Sequence, residues 1–416
     1  MVPSPNAKDP MLYQLHELQR AYLTPMAAFA EAGALAFAAP PLSLFPFADR
    51  FAAGYELLYR VGKVYTKPAF GLDVTTVDGL PVQVKERVVV TKPFCRLIHF
   101  KRVLPANRTP DPVVLVVAPL SGHHATLLRD TVRQLLPAHD VYVTDWLDAR
   151  EVPIAKGPFH LDDYIAYVQQ FIRHLGPSLH VLSVCQPTVP VLAAISLMAT
   201  AKDPMLPRSM TMMGGPIDAR RSPTAVNDLA MTKPYSWFEE TVICTVPSPY
   251  AGSGRRVYPG FLQLGGFVAM NPRKHFRSHW DFYLDLVKGD DEDAEAHRKF
   301  YDEYNAVLDM PAEYYLDTIK TVFQEHALPR GVWHVNGTRV APEDIRSVAL
   351  LTVEGELDDI SGSGQTQAAQ DLCSGIPSKN KRHFTAPGCG HYGIFSGRRW
   401  REVIYPELHA FIRAHA

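Results

Sequence analysis

The chain reads as an α/β protein with a mainly parallel central sheet flanked by helices. Three observations lead there. Short, continuously apolar runs at 113–118, 141–144, 179–184, 209–213 and 348–353 have the character of strands buried on both faces. Helical patterns separate them, at 125–136, 161–175 and 190–200, so strand and helix alternate. The third is a join: the run Leu-His-Val-Leu-Ser-Val passes through Cys185, Gln186 and Pro187 straight into an apolar helix.

Taken from the start, residues 11–60 are mainly helical, with Leu12, Leu15, Leu18, Tyr22 and Leu23 recurring at helical steps. An N-terminal helical extension is therefore expected over 1–70. Its most apolar part, 26–48, is interrupted by Glu31 and the Pro40-Pro41 pair, which leaves too short a run for a transmembrane segment. That stretch suits core packing, a homodimer contact, or docking on an apolar surface. Strands follow at 82–90 and 94–100, with Lys92-Pro93 near the turn between them. An α/β core is expected over 71–217 and again over 332–416, with a last strand at 382–385. Between them, 218–331 breaks the rhythm with many aromatic residues, an acidic run at 290–293 and a helical pattern over 294–327. It is expected to form a cap over the sheet edge.

Composition narrows the function. The 416 residues carry 42 Lys and Arg against 43 Asp and Glu, which lacks the basic excess of a nucleic-acid binder. Five cysteines at irregular spacing contain no CxxC pair, so zinc ribbons and thioredoxin-type redox motifs drop out, and no metal is expected. The opening MVPSPNAKDP lacks a basic region followed by an apolar core, so no secretory signal is read there. Free thiols then point to a reducing, cytoplasmic setting.

The chemistry concentrates in three segments. Ser183-Val184-Cys185-Gln186-Pro187 has the layout of a nucleophile elbow, with Ser and Pro in the flanking places where glycine is usual. A cysteine there is a competent nucleophile once a helix N-terminus or an imidazole favours its thiolate. The alternative is an inert buried thiol. After the strand at 348–353, Asp358 stands where an α/β-hydrolase places its acid, with Asp359 and Asp218 as competitors. His391 follows on a loop whose Gly388, Gly390 and Gly393 allow a sharp return toward the elbow. The order Cys185, Asp358, His391 is that of the α/β-hydrolase triad. Cys389 beside His391 is too poor in partners for a metal site. Oxyanion donors are expected from the amide of Gln186 and, after the strand at 113–118, from Ser121, or else Leu120, since Pro119 has no amide. His123 and His124 are expected to line the pocket or cap the next helix. Trp146, Trp237 and Trp280, with Phe261, Phe267 and Phe282, are candidates for an apolar substrate cleft, each against the alternative of plain core.

The segments VVAPLSGHHATLLRDT, VYVTDWLDAR, VLSVCQPTVPVLAA, YPGFLQLGGFVAMNP and VEGELDDISGSGQT resemble the intracellular polyhydroxyalkanoate depolymerases of bacteria. More narrowly, they are similar to the intracellular poly(3-hydroxybutyrate) depolymerases with a cysteine nucleophile, over nearly the whole chain. The resemblance implies a cytoplasmic enzyme of the α/β-hydrolase fold that attacks the amorphous storage polyester on its granule. By position it assigns Cys185 as nucleophile, Asp358 as acid and His391 as base. A hydroxyacyl thioester on Cys185 would pass to water or to the thiol of coenzyme A; no bound cofactor is needed. A polyhydroxyalkanoate synthase-like acyltransferase is the nearest rival, although such enzymes usually keep a glycine-flanked elbow. A non-catalytic granule-coat protein and a generic small-ester hydrolase are the others.

Overall fold

The computed structural model describes residues 10–105 and 107–416; residues 1–9, read above for a secretory signal, lie outside the described residues. Nine strands make the main sheet: β1 (Val74–Val77), β2 (Leu80–Thr91), β3 (Cys95–Arg102), β4 (Val113–Val117), β5 (Asp140–Trp146), β6 (Leu179–Val184), β7 (Ser209–Met213), β8 (Ala349–Gly355) and β9 (Lys381–Ala386). Their spatial order is β1-β2-β3-β5-β4-β6-β7-β8-β9. The β1–β2, β2–β3 and β3–β5 pairs are antiparallel, and every pair from β5 to β9 is parallel. All residues of β6, β7 and β8 are buried, as expected of mainly apolar strands covered on both faces. This strand order, with the turn described below after β6, is the α/β-hydrolase fold.

Register aligns the ends of the parallel strands. Val117 pairs with Ser183, Val184 with Met213, Met213 with Val353, and Gly355 with Ala386. The loops after β4, β6, β8 and β9 therefore leave the sheet along one edge, where open α/β sheets bind ligands.

Five helices precede the cap: α1 (Pro10–Ala38), α2 (Ala48–Gly62), α3 (Arg129–Leu135), α4 (Leu161–Leu175) and α5 (Thr188–Thr200). The α4 helix starts where the His160 amide is capped by the Asp163 carboxylate at 2.8 Å. It ends at Gly176, whose φ of 86° stops the helix. The helix expected over 125–136 opens with a 3₁₀ turn at Ala125–Leu128 before α3.

The α1 helix runs unbroken through Pro25 and stops just before Pro40-Pro41. Residues 11–38, a stretch that starts before the 26–48 read above, are long and apolar enough to cross a membrane by length and composition alone. The helix accommodates Pro25, and Glu31 is its only charge after Arg20. The helix nonetheless has specific protein contacts. Tyr13 is buried and donates to Asp309 at 2.6 Å, and Phe37 stacks on Phe51 of α2. Arg60 and Arg298 in turn tie α2 to the cap through Asp302 and Glu56.

The cap comprises α6 (Ala225–Thr232), α7 (Tyr235–Thr241), α8 (Gly260–Met270), α9 (Pro272–Lys288), α10 (Asp291–Tyr304) and α11 (Ala312–Thr318), with a small sheet of 244–245, 256–258 and 310–311. The continuous helical pattern expected over 294–327 is broken between α10 and α11. Pro311 stands in a strand there, and a proline inside a helix would remove a hydrogen bond and clash with the preceding turn. The Asp309 carboxylate is engaged elsewhere, accepting from the Gly260 amide at 2.8 Å as well as from Tyr13.

Candidate active site

The chain turns at Cys185 with φ of 68°, the left-handed conformation of a nucleophile elbow. Its amide donates to the Met213 carbonyl on β7 at 2.7 Å, and its carbonyl accepts from Thr188 at 3.1 Å, so the strained residue is held from both sides. Ser183 is small enough to be fully buried, and its hydroxyl donates to the Thr211 carbonyl at 3.2 Å. Pro187 provides the first turn of α5, where an amide would lack an intrahelical acceptor anyway. Opposite the elbow, a side chain at Gly215 would collide with the Cys185 carbonyl and the Thr188 hydroxyl. The glycine is required by that close approach.

His391 follows β9 and returns to the elbow. Its Nδ1–H donates to Asp358 Oδ2 at 2.8 Å, and the Cys185 sulfur is near enough to act on its charge. The other Asp358 oxygen accepts from the amides of Ile360 at 2.9 Å and Ser361 at 2.8 Å. Both side chains are almost wholly buried. Burial works against a charge on His391, but the Cys185 sulfur and the Asp358 carboxylate outweigh it and hold the imidazole well above its ordinary range. The rival acids sit elsewhere. Asp359 is exposed and accepts from Asn271 at 3.1 Å, and Asp218 forms a two-pronged pair with Arg220 at 2.8 and 2.9 Å.

The loop after β4 is clamped by the cap, since the Gly122 carbonyl accepts from Leu308 at 2.8 Å. Ser121 and Gln186 both line the cavity above Cys185, and neither amide has an acceptor among the described residues. His123 also lines the cavity, and its Nε2–H donates to the Tyr304 carbonyl at 3.1 Å; burial lowers its pKa to about 4. His124 precedes the 3₁₀ turn without capping it, and burial lowers its pKa to about 3. Among the described residues no group of three or more His, Cys, Asp or Glu side chains is arranged to hold a metal.

The cavity measures about 320 Å³, with the sheet edge as its floor and the cap as its opposite wall. Its lining is apolar and aromatic, including Leu229, Phe238, Phe267, Phe323 and Phe395. The three tryptophans expected there are not among its lining residues. Trp146 is 1% exposed and stacks on Tyr164 beneath the sheet edge, with its indole N–H given to Ala118 at 2.9 Å. Trp237 rides on α7 beside Lys233, outside the lining, and Trp280 is 54% exposed on α9 against Tyr283. Of the three phenylalanines only Phe267 lines the cavity; Phe261 stacks on His16 and Phe282 on His297. In their place stand tyrosines that sequence reasoning passed over. Tyr314, fully buried on α11, donates to Gln186 Oε1 at 2.6 Å, and Tyr392 adjoins His391. Adjacency to His391 was the one available signal for Tyr392.

Residues 214–416 match the family described as PHB de-polymerase C-terminus. Over that stretch the chain is similar to the C-terminal domain of PHB depolymerases. The match begins at Gly214, so Asp358, His391 and the whole cap fall within it and Cys185 lies upstream. With that domain on an α/β-hydrolase sheet, the chain is a carboxylic ester hydrolase. A search of curated proteins gives no match. Among solved structures, the chain is similar to Paleococcus ferrophilus monoacylglycerol lipase at 12% identity and TM-score 0.45, over 74% of this chain and 96% of that one. It is similar to 2-hydroxy-6-oxo-6-phenylhexa-2,4-dienoate hydrolase from Rhodococcus sp. strain RHA1 at 12% identity and TM-score 0.43, over 80% and 99%. A thermophilic esterase from Thermogutta terrifontis is similar at 13% identity and TM-score 0.40, over 80% and 100%.

Proposed function

We propose that the chain cleaves amorphous poly(3-hydroxybutyrate) by nucleophilic attack of Cys185, with His391 as acid–base and Asp358 as its orienting acid. The observation that carries this reading is that Cys185, at a left-handed turn, and His391, bonded to Asp358 at 2.8 Å, line one apolar cavity. His391 takes the Cys185 proton as the sulfur attacks. The thiolate adds to an ester carbonyl, and the amides of Gln186 and Ser121 hold the resulting oxyanion. As the tetrahedral species collapses, the C–O bond breaks and His391 gives its proton to the departing alkoxide. A hydroxyacyl thioester remains on Cys185. Neutral His391 then takes a proton from water or from the coenzyme A thiol, the acceptor adds to the thioester, and the Cys185 thiolate leaves. Water yields 3-hydroxybutyrate or short oligomers; coenzyme A yields a hydroxyacyl-CoA.

The polymeric substrate is supported by the apolar cavity and by the hairpin of α1 and α2. Leu35, Leu44, Phe45, Phe47 and Phe51 are exposed there, and 21–49 contains no Lys or Arg. Such a surface suits an uncharged polyester granule better than an anionic headgroup layer. The proposed setting is accordingly the cytoplasmic granule surface. Incubating wild type and Cys185→Ala with amorphous granules, with and without coenzyme A, tests the reading. Free acid or acyl-CoA from wild type alone is the expected result, and names the acceptor. Granules left intact by both proteins would refute it.

A further inference from the structure

In an otherwise apolar cavity, polar atoms without partners mark where a ligand supplies them. The tyrosines differ in this respect. Among the cavity's tyrosines, the Tyr314 hydroxyl is spent on Gln186, and Tyr392 stands beside His391. Tyr258, at the end of its short strand, and Tyr315, on α11, also line the cavity, with ring centroids 4.2 Å apart. Neither hydroxyl has a hydrogen-bond partner among the described residues, and neither is sealed from the cavity. Both rings pack on the cap cluster of Phe238, Leu316 and Ile319 and line the cavity that holds Cys185. Burial pushes the Tyr258 pKa up to about 12 and raises that of Tyr315 as well, so both keep their protons and can only serve as neutral partners.

A polyester chain matches this arrangement. Between its ends it carries acceptors and no donors, with ester carbonyls at a regular interval, so a chain reacting at Cys185 must place further carbonyls along the cavity. Resting on the function proposed above, we infer that Tyr258 and Tyr315 donate hydrogen bonds to an ester carbonyl other than the one under attack. The pair forms a cap-side subsite that sets a preference for oligoesters over single esters. A site built to pair with a polar group discriminates against substrates that lack it, because its donors are then left unmade.

The test compares wild type, Tyr258→Phe, Tyr315→Phe and the double variant on two soluble substrates: a linear 3-hydroxybutyrate trimer and a simple ester of 3-hydroxybutyrate. These substitutions remove a hydroxyl and keep the ring, so packing is retained. Each single variant should lower the trimer-to-monoester ratio of kcat/KM about threefold, and the double variant about tenfold, mainly through the trimer KM. An unchanged ratio, or equal losses on both substrates, would overturn the subsite and leave the depolymerase reading standing. A wild type that turns over the monoester but not the trimer would overturn that reading itself.

Discussion

The sheet edge and the cap wall that face each other across the cavity are built from opposite materials. At the edge the acid is fully engaged: Asp358 accepts three hydrogen bonds, one of them from His391. The cap wall is aromatic and apolar, and its hydroxyls at Tyr258 and Tyr315 are uncommitted. The difference assigns the tasks. Chemistry needs groups whose geometry is fixed before substrate arrives, whereas gripping a polymer needs apolar area and a few free donors.

The largest effect should come from the edge. Cys185→Ala is expected to lower turnover of any ester by about 10⁴-fold or more, measured with a soluble 3-hydroxybutyrate ester. Asp358→Asn should follow, at roughly 10²- to 10⁴-fold, because His391 loses the acceptor that fixes its tautomer. Asp359→Asn, at an exposed site, should stay within about threefold in the same assay. If the two aspartates behave alike, the edge is not wired as described.

On the apolar side, replacing exposed Leu44, Phe45 and Phe47 with serine should lower sedimentation with amorphous granules by about tenfold. The monoester rate should stay within about twofold. Unchanged sedimentation, with a dimer in wild type that becomes monomeric in the variant, would assign the hairpin to self-association instead.

A smaller effect distinguishes the two regions by stability. Trp146→Ala opens a cavity under the edge and should destabilise by about 3–5 kcal/mol, while exposed Trp280→Ala should change stability by under about 0.5 kcal/mol. Denaturant midpoints would read both.

Acid sensitivity is the last. Buried His123 and His139 have pKa values lowered to about 4, below the ordinary imidazole value near 6.5. The unfolded chain therefore binds more protons between those values. Each histidine should withdraw up to about 1.4 kcal/mol of stability per pH unit as pH falls from 6.5 toward 4, with no further loss below. A melting temperature flat from pH 7 to 5 would contradict this.

Much of the edge was legible in the residues. Runs such as 179–184 and 209–213 can only be strands buried on both faces, and the abrupt passage from Val184 to Pro187 leaves room for little but an elbow. The helical pattern read at 161–175 coincides with α4. Asp358 was preferred to Asp218 and Asp359 by its likeness to the placing of the acid in an α/β-hydrolase, and it is the one that meets His391. The cap was harder, because aromatic residues look the same in sequence whether they fill a core, stack at the surface or line a cleft. Trp146, Trp237 and Trp280 were singled out for size, but size rewards burial as much as ligand contact. The break at Asp309 and Pro311 depends on contacts with Tyr13 and Gly260, which no local pattern carries.

The most direct test of the central claim is to quench wild-type enzyme and Cys185→Ala during reaction with the soluble trimer and map adducts by peptide mass spectrometry. The account predicts a hydroxybutyryl thioester on the Cys185 peptide of wild type, and none in the variant. An acyl group on a serine, or trimer cleavage that persists in Cys185→Ala, would contradict it.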